Sequence, residues 1–87
     1  FYDINPQAKI HVLGIPKIEC SDFYDFVRLA DKKTLSSFFE SVSLVIKKLN
    51  VEKNGYRIIS NSGSHGGQEV PHFHIHILAG EKIGSLR

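Results

Sequence analysis

The sequence predicts an α+β domain in which an antiparallel β-sheet packs against one long amphipathic helix. Three observations carry that prediction. Apolar residues recur at helical spacing between Leu35 and Leu49, two β-type segments bracket a glycine-rich loop after them, and 87 residues are too few for a second core. A single domain spanning 1–87 is therefore expected, and a composition of 41% hydrophobic and 23% charged residues is that of an ordinary globular protein without low-complexity tracts.

Taken in order, Asp3-Ile4-Asn5-Pro6 reads as a turn, because a residue before proline is biased away from helix. It leads into His11-Val12-Leu13-Gly14-Ile15, a strand ended by Pro16 and Lys17. The segment Ser21 to Ala30 has only weak helical periodicity and is expected to form a short irregular turn of helix. From Asp31 to Asn50 the pattern is plain: Leu35, Phe38, Phe39, Val42, Val45, Ile46 and Leu49 share one helical face. Asp31 suits the N-cap, and Lys47 and Lys48 complement the dipole at the far end. Tyr56 to Ser60 is a second β-type run, Asn61 to Gln68 a polar loop with three glycines, and Val70 to Ala79 a further strand. The short connection favours an antiparallel hairpin over a parallel crossover.

The charge balance narrows the function. A net charge of +2 with no run of like charges argues against nucleic-acid binding, yet it suits a small anionic ligand. Cys20 is the single cysteine, so no internal disulfide forms, and no apolar run approaches the roughly 20 residues that span a membrane. Together with the lack of a charged-then-apolar leader, this predicts a reducing, cytoplasmic setting.

The chemistry is concentrated in Pro71-His72-Phe73-His74-Ile75-His76-Ile77-Leu78. Side chains of a strand alternate between faces, so the three imidazoles share one face while Phe73, Ile75 and Ile77 bury against the helix. A terminal tag would be contiguous, whereas this set sits inside a β pattern after a loop of the kind that offers backbone N–H groups to phosphate. Metal binding is the main competing chemistry, with two of these histidines and a third ligand such as His11. Residues i and i+4 on a strand lie about 13 Å apart, too far to chelate one ion. Neighbouring imidazoles about 6.6 Å apart can instead attack phosphorus, bind its oxygens and serve the leaving group, with His74 central. No cofactor or metal is expected, since the sequence has no carboxylate cluster to hold magnesium.

These residues resemble the histidine triad superfamily, whose signature alternates three histidines with apolar residues as His72 to Leu78 do. Asp3-Ile4-Asn5-Pro6-Gln7-Ala8, then His11 and Ile15-Pro16-Lys17, resemble its nucleotide-binding, bacterial-type Hint branch, as do Gly55-Tyr56-Arg57, Asn61 and Gly66 to Val70. The resemblance implies that His74 is the nucleophile, that His76 contacts phosphate, and that His72 and His11 support the site. It implies a base pocket at Phe1 and Ile4, ribose binding by Asp3, and a phosphate region at Asn61 and Gly67 with Gln68, Glu69 and Val70 beside it. Glu69, where some members carry a small hydroxyl residue, and Lys9, where proline is common, depart from the pattern. Members begin with a helix and strands ahead of the position of Phe1, so the resemblance implies that an N-terminal part of the fold, with part of the base pocket, is missing here. The implied activity is hydrolysis of purine nucleoside phosphoramidates through a nucleotidyl-histidine intermediate by a homodimer. The alternatives are hydrolysis of dinucleoside polyphosphates, or nucleotide or partner binding with vestigial hydrolysis.

Overall fold

A computed structural model describes residues 1–3 and 7–84. Its elements are β1 (Ile10–Gly14), α1 (Phe23–Leu29), α2 (Lys32–Leu49), β2 (Arg57–Ile59) and β3 (Ile75–Ala79). The strands form one antiparallel sheet in the order β1-β3-β2, with the β2–β3 hairpin read from the sequence and β1 on the other side of β3.

Helix α2 begins where its cap dictates. The Asp31 carboxylate accepts the Thr34 N–H at 2.8 Å, a bond that also holds this carboxyl below the usual carboxylate range. At the other end Asn50 takes the left-handed conformation, φ 59°, and donates its N–H to Lys47 O. Val42 and Ile46 are buried, with Leu35, Phe38 and Leu49 packed beside them, while Phe39 and Val45 lie at the border of the stripe and remain partly exposed.

The segment before α2 is more regular than its periodicity predicts. Phe23–Leu29 is a helix, capped by Asp22, whose carboxylate accepts from Asp25 N at 2.9 Å, and braced by an Asp25–Arg28 ion pair at 2.6 Å. Its weak sequence signal has a physical reason: Phe26 is its one buried residue, so no apolar stripe is needed.

The last strand is shorter than Val70 to Ala79. Pro71 has no N–H to give a ladder, His72 N donates to Val70 O, and Phe73 N donates to Cys20 O, so regular pairing starts at Ile75. The alternation survives this shortening. Phe73, Ile75 and Ile77 are each at most 3% exposed, and Phe73 stacks on Phe26 with ring centroids 4.9 Å apart.

Candidate active site

The register of the sheet determines which side chains share the histidine face. Leu13 lies opposite His76 and Gly14 opposite Ile75, so His11 and Leu13 of β1 stand on the same side as His76 of β3. His74 and His72 continue that side along the bent approach to β3, and all three are half-buried. The ring centroids of His74 and His76 are 5.0 Å apart and nearly perpendicular.

Each imidazole is held at one nitrogen. His74 Nδ1 lies 2.8 Å from the His72 carbonyl, and His72 Nδ1 lies 2.9 Å from the Phe73 carbonyl. A carbonyl only accepts, so both Nδ1 atoms carry the proton and both Nε2 atoms present a lone pair. His76 Nδ1 meets His11 Nε2 at 2.8 Å. His11 is 4% exposed, receives the Gln7 N–H on its Nδ1 at 2.9 Å, and has an Asp3 carboxylate oxygen 3.4 Å from its Nε2. Burial first, then His74 and His11, push the His76 imidazole below the ordinary histidine range against the opposing pull of Asp3. His76 is therefore neutral at pH 7.

Asp3 is placed by its backbone, whose N–H donates to His11 O at 2.8 Å. Phe1 extends the same strip, its backbone nitrogen 2.9 Å from Leu13 O, and its side chain is largely exposed. Ile4 lies outside the described residues.

The glycine loop differs from a simple phosphate cradle. Gly67 N donates to Ser64 O, Gln68 N to Gly63 O, and Gly63 N to the Gln68 side-chain oxygen. The other end of that carboxamide donates to Ser21 O at 2.6 Å and Val70 O at 3.0 Å. Gln68, expected at the nucleotide, thus ties the loop to the chain before α1, while the Gly67 amide bonds within the loop. A side chain at Gly66 would sit 2.3 Å from Ser62 O, and Gly67 has φ +74°, so this turn requires both glycines. Among the described residues, no backbone bond from the Glu69 or Val70 amide joins this network. Asn61 sits half-buried at the loop's start, and Glu69 is exposed.

Leu13, Ile15 and Val70 join His72 and His74 around a cavity of about 130 Å³. A larger one of about 590 Å³ lies between β1 and α2, lined by Phe1 and Leu13 among others and by no histidine. Leu13 belongs to both walls. The sequence reading gives Leu13 no site role and Ile15 only a place in the family motif, although the alternation His11, Leu13, Ile15 is the signal that places them with the histidines.

Among the described residues, Asp3, His11 and His76 offer ligand atoms within 4.8 Å of one another. This set does not suit a cation. A metal on His11 Nε2 needs the proton on Nδ1, where it would face the Gln7 N–H. The 2.8 Å between the two imidazole nitrogens is also a hydrogen-bond distance.

An α+β domain with a row of individually oriented imidazoles beside a glycine turn defines a class of histidine-based site. The family follows from comparison: residues 1–83 match the HIT domain model, and the chain belongs to that family. It is 43% identical over 99% of its length to a HIT-like protein of Azospirillum brasilense, covering 70% of that protein. It is 36% identical over 99% of its length to the purine nucleoside phosphoramidase of Escherichia coli K12, covering 71% of it. A histidine triad protein structure from Clostridium difficile superposes with a TM-score of 0.84 at 36% identity, over 100% of this chain and 75% of that one.

Proposed function

We propose that this protein hydrolyses purine nucleoside phosphoramidates through a nucleotidyl-histidine formed on His74. The observation that carries the reading is the His74 imidazole, held at Nδ1 by the His72 carbonyl at 2.8 Å so that Nε2 is an unprotonated nucleophile. His74 Nε2 forms a bond to phosphorus as the P–N bond breaks, and the leaving amine takes a proton from solvent, matched by the proton that water releases in the second step. Water then attacks the phosphoimidazole, giving the nucleoside monophosphate and restoring His74. The name of the Escherichia coli relative supports the substrate class. In this reading Asp3 takes the ribose hydroxyls, Phe1 and Leu13 flank the base, and Asn61 with the Glu69 and Val70 amides faces the phosphate.

The test is a substrate panel on the chain. An AMP-amine should turn over at least about tenfold faster than a dinucleoside polyphosphate, and turnover of neither would overturn the reading. Imidazoles and amides can neutralise one phosphate group, so a purine nucleoside monophosphate should bind equally well with and without a chelator. Calorimetry showing binding only with added metal would contradict that.

A homodimer is part of the same reading. Among the described residues β2 pairs only with β3, leaving an outer sheet edge. Phe39, Tyr56 and Ile58, all more than two-fifths exposed, line a groove of about 480 Å³ beside it. A second copy would cover both edge and groove. The chain is expected to sediment as a dimer at micromolar concentration and Ile58→Lys as a monomer, and a monomeric wild type would contradict this.

A further inference from the structure

We propose that Gln68 is a positioning residue, a clamp between the glycine loop and the chain before α1 that sets the place of the His72 to His74 segment without touching the substrate. A carboxamide has two N–H donors and an accepting oxygen, and here all three are taken by main-chain groups. Oε1 accepts from Gly63 N at 2.9 Å, while Nε2 donates to Ser21 O at 2.6 Å and to Val70 O at 3.0 Å. Turned over, the group would set an NH2 against the Gly63 N–H and an oxygen against two carbonyls, so its orientation is fixed. Both donors are engaged, and serving a ligand would cost a bond that holds the loop.

One side of the clamp is firm. Ser21 donates its N–H and its hydroxyl to the Asp25 carboxylate, at 2.9 and 3.2 Å, and Arg28 pairs with that carboxylate at 2.6 Å. Phe26, the next residue of α1, is fully buried and stacks on Phe73. The carbonyl beside Ser21 O, that of Cys20, accepts from Phe73 N at 2.9 Å. Two successive carbonyls of this chain therefore hold both ends of residues 68–73.

On the other side Gln68 is two links from the His74 imidazole. Val70 O accepts from Gln68 Nε2 and also from His72 N at 2.8 Å, and the His72 carbonyl lies 2.8 Å from His74 Nδ1. Val70, His72 and His74 line one cavity, so a shift of this segment moves its wall and the imidazoles together. A misplacement of about 1 Å can cost about 10²-fold in rate. The effect on turnover rests on the proposed function, but the clamp does not, so it can be tested without substrate.

Amide hydrogen exchange of the ligand-free chain reads the clamp alone. Gln68→Met keeps the reach of the side chain and removes its three bonds, so the Gly63 amide should exchange at least about tenfold faster than in the wild type while the Phe73 amide, held by Cys20 O, keeps its protection. Unchanged exchange at Gly63 would overturn the proposal whatever the protein hydrolyses. On an AMP-amine, Gln68→Met should lower kcat per folded molecule about 30- to 100-fold with KM and AMP affinity within about threefold, the mark of lost placement and not of a lost ligand contact. Gln68→Glu keeps an acceptor toward Gly63 but sets a carboxylate oxygen against the Ser21 and Val70 carbonyls, and it should recover none of the lost kcat. Wild-type kcat in both variants, or AMP affinity falling about tenfold or more in Gln68→Met at unchanged kcat, would overturn the assignment.

Discussion

His74→Ala is expected to abolish turnover of an AMP-amine while leaving nucleotide affinity within about tenfold, a change of at most roughly 1.4 kcal/mol in binding. Both halves follow from what the side chain touches. Its Nδ1–H is held by the His72 carbonyl, so the ring contributes to the site through one lone pair on Nε2. Ground-state binding loses one contact among several, whereas the covalent route loses the atom that forms the bond to phosphorus. The loss in kcat should reach at least about 10⁴-fold, since removing the nucleophile of a covalent enzyme can cost about 10⁶-fold. His65, exposed in the glycine loop, provides the contrast: His65→Ala should keep wild-type turnover. Near-wild-type turnover by His74→Ala would refute the nucleophile assignment, and a matching loss of affinity would show that His74 chiefly binds.

How much of this was legible beforehand depended on whether a feature repeats along the chain. The α2 stripe repeats over five turns, and its caps at Asp31 and Asn50 use local chemistry, so both ends could be read. The alternation from His72 to Ile77 survives although only its last part is a ladder, because burial of Phe73, Ile75 and Ile77 enforces it without strand hydrogen bonds. Helix α1 was poorly legible since it buries one residue, Phe26. Within the site, the three histidines of one segment were visible at once. The contact of His11 with His76 is not local: 65 residues separate them, and it needs the β1–β3 register. The task of Gln68 was hidden more deeply. Its carboxamide could serve a ligand or a loop, and only the positions of Gly63, Ser21 and Val70 decide for the loop.

Phe73→Ala is expected to destabilise the fold by about 3–5 kcal/mol, the largest stability effect foreseen here. Phe73 lies between two histidines in sequence, but its ring faces away from them, 1% exposed. It stacks on Phe26 at 4.9 Å and meets Phe38 at 5.8 Å, so one ring joins the histidine segment to α1 and α2 together. Truncation would remove the transfer free energy of the ring and leave a cavity that the sheet and two helices cannot easily close. For a domain of 87 residues this is a large part of a total near 5–10 kcal/mol. Phe73→Leu keeps most of the volume and should lose clearly less, while Tyr24→Ala, at a residue 75% exposed on α1, should stay within about 0.5 kcal/mol. Urea unfolding of the four proteins measures the series, with Phe73→Ala followed by its circular dichroism if it is unfolded without denaturant. A Phe73→Ala chain as stable as Tyr24→Ala would mean that the histidine row is not held in place from the core side, and the alternation argument would fail with it.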